Sequence, residues 1–186
     1  KTLMKLLPSN ISKIFFSDNG STSVEVAIKL SIQYWYNQGK PRKKIIALEG
    51  AYHGDTFGSM SVAERNLFSA PFNDLLFEVE FLPFPKGDGA AAIAKMKELA
   101  TEETAAFIFE PLVQGAAGMQ MYAPEVLDEL IAIAQSKKII CIADEVMTGF
   151  GRTGKMFACD YLKNDPDIFC LSKGITGGYL PMGVTA

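Results

Sequence analysis

Cysteine is scarce in this chain and histidine scarcer. Of three cysteines, Cys141 and Cys170 lie inside apolar, strand-like runs and Cys159 stands alone. None has metal-ligand spacing, and an odd number argues against a disulfide framework. Basic clusters are missing too. The longest run is Arg42-Lys43-Lys44, the net charge is −3 and the pI is near 5.3, so a nucleic-acid partner is not suggested. Although 48% of the 186 residues are apolar, no uninterrupted apolar run approaches the ~20 residues that span a bilayer. Lys1 to Leu7 is too short and too interrupted for a signal peptide. There is no internal repeat, low-complexity segment or linker. These absences leave a reduced, cytoplasmic enzyme or binding domain with one sizeable core. The chain begins without methionine and stops at Val184-Thr185-Ala186, in what reads as mid-strand, so a fragment is expected.

What is present alternates between strand and helix. Strands are predicted at Ile14–Ser17, Lys44–Leu48, Phe77–Leu82, Ala105–Pro111, Lys138–Val146 and Ile168–Leu171. A helix is predicted from the Asp18-Asn19-Gly20-Ser21 turn to Asn37. Thr22 to Glu25 reads as its capping box, Val24, Ile28, Ile32 and Trp35 as its buried stripe, and Gly39-Lys40-Pro41 as its stop. Ala90–Ala100 forms another helix. Pro124–Ser136 forms a third, with Pro in the first turn and Val126, Leu127, Leu130, Ile131 and Ala134 on one face. Glu64–Asn73 reads as an irregular surface excursion and Val113–Tyr122 as a loop. Near-continuous apolar strands are expected where helices cover both faces of a sheet. The fold class is therefore α/β with a largely parallel sheet.

The chemistry gathers around Asp167 to Gly183. The run Ile168–Leu171 delivers Lys173 into a glycine-rich segment with room for a flat ligand. An amine buried at a strand end is expected to have a lowered pKa and to be a usable nucleophile. A surface lysine capping a strand is the plain alternative for Lys173 taken alone. Gly20 and Ser21, at a turn between strand and helix, form a potential anion site, because free N–H groups and the positive end of the helix dipole meet there. Tyr52 offers an aromatic face. His53, beside it, has no Ser or Cys nucleophile motif and reads as structural. Gly149-Phe150-Gly151-Arg152-Thr153-Gly154 matches G-x-G-x-x-G, but Asp144 and Glu145 before it would repel a pyrophosphate and no clear helix follows, so dinucleotide binding is rejected. Glu110, Asp144 and Glu145 end strands, where ligands bind in open α/β sheets. An anion site, an aromatic face, a carboxylate and a nucleophilic lysine together suit pyridoxal 5'-phosphate.

Ser17 to Lys29, Tyr52-His53-Gly54-Asp55, Ala143 to Val146, Thr148 to Gly154 and Leu171 to Gly174 resemble the class III aminotransferases, in order and over nearly the whole chain. The resemblance implies the fold-type I architecture: a mixed, mainly parallel seven-stranded sheet, with a smaller domain built from segments outside this chain. It implies that residues 1–186 form the cofactor-binding large domain and that the parent is a homodimer. By motif, Lys173 corresponds to the Schiff-base lysine and proton-transfer base, and Asp144 to the partner of the pyridine nitrogen. Tyr52 and Val146 correspond to the residues on the two ring faces, and Gly20 and Ser21 to phosphate ligands. Arg152 and Glu110 are placed near the substrate, and His53 receives no role. A threonine for the neighbouring subunit's cofactor phosphate and an arginine for a substrate carboxylate are expected beyond Ala186. Within the class, Pro111–Tyr122, Lys155–Cys159 and Tyr34-Trp35 look most like the biotin-pathway branch, implying amino transfer from S-adenosylmethionine to 8-amino-7-oxononanoate. Relatives acting on ornithine, acetylornithine, 4-aminobutyrate or other ω-amino acids share the cofactor motifs, and decarboxylases and racemases share the fold. A catalytically dead cofactor-binding homologue is disfavoured by the joint presence of Lys173 and Asp144.

Overall fold

The computed structural model describes residues 2–186. Its elements run β1 (Phe15–Ser17), α1 (Gly20–Asn37), β2 (Lys44–Leu48), α2 (Phe57–Ser61), β3 (Glu80–Leu82), α3 (Ala90–Leu99), β4 (Thr104–Phe109), β5 (Val113–Gln114), β6 (Gln120–Met121), α4 (Pro124–Ser136), β7 (Ile140–Asp144), β8 (Ile168–Leu171) and β9 (Gly183–Thr185). Seven strands form one sheet in the order β1-β9-β8-β7-β4-β2-β3. The five from β3 to β8 are parallel, and β9 runs antiparallel to both of its neighbours. The sheet is mixed and mainly parallel, as expected from sequence.

The inner strands β2, β4, β7 and β8 are mostly apolar because alternate residues serve opposite helix layers. Leu48, Phe107, Phe109, Phe169 and Leu171 join the core that holds Met96 of α3 and Leu127, Leu130 and Ile131 of α4. Their sequence neighbours Ala47, Ala106, Ile108 and Cys170 join a second core with Val24, Ala27 and Ile28 of α1. The bulky aromatics thus face α3 and α4, while smaller side chains let α1 lie close to the opposite face.

Several local expectations shift. The capping box of α1 is Asn19 with Thr22, not Thr22 with Glu25. Glu25 instead accepts from the N–H groups of Gly58 and Ser59, capping the start of α2. Ile32 is exposed, so the buried stripe of α1 is Val24, Ala27, Ile28, Ser31 and Trp35. Strand β3 covers only the last three residues of the expected 77–82 run, and Ala70–Leu75 of the surface excursion coils into a 3-10 helix. The 113–122 loop contains the small antiparallel pair β5 and β6. Nothing helical directly follows the glycines at 149–154; the next element is a 3-10 turn at Ala158–Tyr161. Among the described residues, no helix is long and apolar enough to cross a membrane.

Leu130 is completely buried between α4 and the sheet. Leu130→Ala is therefore expected to lower the stability of the full-length protein by about 2–5 kcal/mol in denaturant titration. Lys97→Ala removes an ion pair to Glu129 of 3.8 Å between two half-exposed side chains and should change stability by less than about 1 kcal/mol. A Leu130→Ala loss as small as that would contradict close packing of the α4 layer.

Candidate active site

The strands from β3 to β8 point the same way, so the segments after β2, β4, β7 and β8 emerge at one edge of the sheet. Two reversals, at β9 and at β1, bring the start of α1 to that edge as well. There a cavity of about 530 Å3 is lined by Gly20, Ser21, Tyr52, His53, Glu110, Asp144, Val146 and Lys173, among others.

The helix start supplies the anion end. In the capping box, Asn19 Oδ1 accepts from Thr22 N at 3.0 Å, and Asn19 N donates to Thr22 Oγ1. Ser23 N is bonded to the Asn19 carbonyl. Of the N–H groups that a helix leaves unpaired at its start, those of Gly20 and Ser21 find no partner among the described residues. A Cβ at Gly20 would lie 2.8 Å from Val146 Cγ1, so only glycine lets the helix start and Val146 close on each other.

The Tyr52 loop is held from two sides. Ser21 Oγ accepts from Asp55 N at 3.1 Å, and Gly54, at φ +126°, packs so tightly on Ser21 that a side chain would collide with it. Tyr52 OH donates to Asp55 Oδ2 at 2.8 Å. Partial burial, and then Asp55, push the phenol up to about 12. Below this loop, Glu110 accepts from Tyr52 N and Gly115 N, each at 3.0 Å. Burial raises the Glu110 carboxyl above the usual range, opposed first by nearby His53 and then by those two N–H groups. Glu110 lines the cavity, and its bonds tie the Tyr52 loop to the 113–122 hairpin.

Asp144, buried, accepts from Val146 N at 3.1 Å through Oδ1, while Oδ2 lies 2.7 Å from Nδ1 of the fully enclosed His53. The sequence carried no sign of this pairing. The two residues are 91 apart, and β4 lies between the strands that deliver them. Glu145 turns away from the cavity and binds Thr148 and the backbone of Ala158 and Cys159, closing the glycine-rich turn. Lys173 corrects the sequence argument. It is exposed rather than buried, because the chain leaves the sheet at Ser172, whose hydroxyl donates to Met182 O at 2.7 Å. Lys173 then turns into left-handed backbone at φ 36°, a conformation L-residues disfavour and one that collects at functional sites. Its amine makes no ion pair among the described residues.

Arg152 lies outside this cavity. Its Nε donates to Met147 O at 2.7 Å, and its side chain borders an adjoining apolar cavity with Met119, Met121, Tyr122 and Tyr161. A smaller groove of about 290 Å3 has both Arg152 and Lys173 on its walls. The three cysteines are buried and unpaired, and no metal-binding cluster occurs among the described residues.

The whole chain, residues 1–186, matches the family described as Aminotransferase class-III. It belongs to the class III aminotransferases, a family of pyridoxal-phosphate-dependent enzymes. It is 56% identical to an adenosylmethionine-8-amino-7-oxononanoate aminotransferase from Synechococcus elongatus, over 98% of this chain and 46% of that one. A Staphylococcus aureus protein of the same name is 42% identical, over 98% of this chain and 44% of the relative. The chain thus spans about half the length of the curated relatives it matches. Among solved structures, the adenosylmethionine-8-amino-7-oxononanoate aminotransferase of Methanocaldococcus jannaschii superposes with a TM-score of 0.92 at 40% identity, over 99% of this chain and 43% of that one. An omega-transferase from Vibrio fluvialis gives 0.88 at 28% identity, over 99% and 47%.

Glu110→Gln is expected to destabilise the protein by about 1–3 kcal/mol despite its equal size, since one of two enclosed N–H groups would face an amide NH2. The raised carboxyl also gives a pH signature. The folded state holds this proton more firmly than the unfolded state, so the contribution is fully present in acid and declines as pH rises through the raised value. Denaturation of both proteins across acidic to neutral pH tests both points; an unchanged curve for Glu110→Gln would refute the tethering role.

Proposed function

We propose that this chain is the cofactor-binding core of an aminotransferase acting in biotin biosynthesis, moving an amino group from S-adenosylmethionine to 8-amino-7-oxononanoate to give 7,8-diaminononanoate. The observation that carries the reading is the convergence, in one cavity, of two unpaired helix N–H groups, the Tyr52 ring, the Asp144 carboxylate and the unpaired Lys173 amine. These fit pyridoxal 5'-phosphate. The N–H groups of Gly20 and Ser21 suit its phosphate, Tyr52 and Val146 would flank its ring, Asp144 would hold its ring nitrogen and Lys173 Nζ would anchor it covalently. Once bound, the cofactor supplies an electron sink: a protonated ring that stabilises negative charge at the donor's α-carbon. Asp144 would keep the ring nitrogen protonated. Lys173 Nζ would also be the base that takes the proton from the donor's α-carbon. Tyr52, its phenol neutral until about pH 12, supplies an uncharged face. Arg152, beside the groove it shares with Lys173, is available to a charged group of the substrate.

The choice of donor and acceptor rests on the relatives that carry the biotin-pathway name at 38–56% identity. We further place the parent protein in the cytoplasm as a homodimer, with a smaller domain formed by segments outside residues 1–186. Large apolar side chains at the surface, Leu67 and Phe68 each 90% exposed and Tyr179 87%, support a covering partner.

The full-length protein is expected to show a visible cofactor band that bleaches on adding S-adenosylmethionine. A band that responds instead to ornithine, lysine or 4-aminobutyrate keeps the class and discards the biotin assignment. Lys173→Ala should abolish turnover. Asp144→Asn should still bind cofactor but abstract the α-proton slower by orders of magnitude. Full turnover by Lys173→Ala would sink the mechanism, and sedimentation of the parent as a monomer would sink the dimer.

A further inference from the structure

We propose that Glu25 is a positioning residue for the Tyr52 loop, fixing the aromatic side of the cavity to the same helix, α1, that supplies its anion end. This deepens the reading above and rests on Tyr52 and the start of α1 as cofactor-binding elements. Three observations carry it. Glu25 Oε1 accepts from Gly58 N at 2.6 Å and from Ser59 N at 3.2 Å. Ser21, four residues earlier and so on the same face of α1, accepts from Asp55 N at 3.1 Å through Oγ. A Cβ at Gly58 would collide with the Glu25 carboxylate, so glycine leaves the space that the carboxylate fills.

The loop runs from the end of β2 at Leu48 to the start of α2 at Phe57. Glu110 holds it at Tyr52 N. Its far end has a lock of its own, in which Thr56 N donates to Ser59 Oγ and Ser59 Oγ donates to Thr56 O. That lock shapes the turn but leaves its place in the molecule open. The place is set by α1, through Ser21 at Asp55 and Glu25 at Gly58 and Ser59. A carboxylate binds backbone N–H groups more strongly than a neutral acceptor does, and these two belong to a first helical turn, which cannot satisfy them itself. The free N–H groups of Gly20 and Ser21 lie within two turns of Glu25 on one continuous helix. The spacing between the anion end and the Tyr52 ring is therefore built into α1 before any ligand enters. Without Glu25 the loop loses its attachment beyond Asp55, Tyr52 spends part of its time out of place, and affinity falls with the competent fraction.

The test uses the full-length protein and compares amide hydrogen exchange in the parent and in Glu25→Ala, both free of cofactor. Gly58 and Ser59 exchange faster whatever the role of Glu25, because they lose their acceptor. The proposal requires that Tyr52 and Asp55, whose acceptors are Glu110 and Ser21, exchange faster as well. Acceleration confined to Gly58 and Ser59 would make Glu25 a local cap and overturn the proposal. Because this readout needs no cofactor, it is independent of whether the protein is a transaminase. Absence of a cofactor band in the unaltered protein would instead count against the proposed function. The second arm measures the dissociation constant of pyridoxal phosphate. Glu25→Ala should raise it about tenfold. Glu25→Gln keeps an acceptor oxygen of equal reach and should recover most of that loss; a Gln variant as weak as the Ala variant, or an Ala variant as tight as the parent, would refute the proposal. If Glu25→Ala does not fold, Gly58→Ala decides. Its methyl group drives the carboxylate from its place and should likewise speed exchange at Asp55 and weaken cofactor binding. A Gly58→Ala protein that matches the parent in both would refute the proposal.

Discussion

The direction shared by the strands is the constraint from which the site follows. Each inner strand buries its even and odd residues in different helix layers, as in β4, with Phe107 and Phe109 towards α4 and Ala106 and Ile108 towards α1. A strand so buried on both faces has one place left for a polar group, its ends. Parallel pairing from β3 to β8 puts all the carboxyl-terminal ends at one edge, so Glu110, Asp144 and the residues after Leu171 collect there whatever their distance in sequence. The antiparallel strand β9 does not disturb this arrangement. It reverses the chain once, β1 reverses it again, and α1 consequently opens its N-terminus onto the same cavity.

Elements governed by nearby residues were legible in the sequence, and those governed by tertiary pairing were not. Helix α4 has the expected ends, because Pro124 fits only the first turn and the apolar stripe from Val126 to Ala134 keeps one face. Strand β8 likewise has its expected bounds. The capping box failed where two patterns overlapped. Thr22 and Glu25 have the right spacing, but Asn19 took the cap and left Glu25 free to reach α2. Convergence of Gly20, Ser21, Tyr52, Glu110, Asp144, Val146 and Lys173 on one cavity follows from a rule about strand ends. The place of His53 does not. Its contact with Asp144 depends on how two loops meet above an intervening strand, and periodicity is silent on that. Lys173 was misread as buried for a related reason. A strand pattern says where the apolar run stops, but not that the chain will turn left-handed in the next two residues and lift the amine to the cavity rim.

Three acids end strands here, and their different fates show how the backbone assigns roles to one chemical group. Glu145 accepts from a hydroxyl and two backbone N–H groups, all within the segment 148–159, and so fixes a turn. Glu110 accepts from two N–H groups in different segments and so joins two walls of the cavity. Asp144 is one methylene shorter. Its carboxylate stays close to its own strand end, where Val146 N and His53 hold one lone pair on each oxygen. A carboxylate offers about four acceptor positions, so Asp144 keeps capacity to spare while being unable to swing. Burial raises the carboxyls of Glu110 and Glu145, and the N–H and hydroxyl groups bonded to them oppose it only in part. A short side chain bonded on both oxygens presents its remaining acceptor positions to the cavity in one direction; a longer one tied into the scaffold would not.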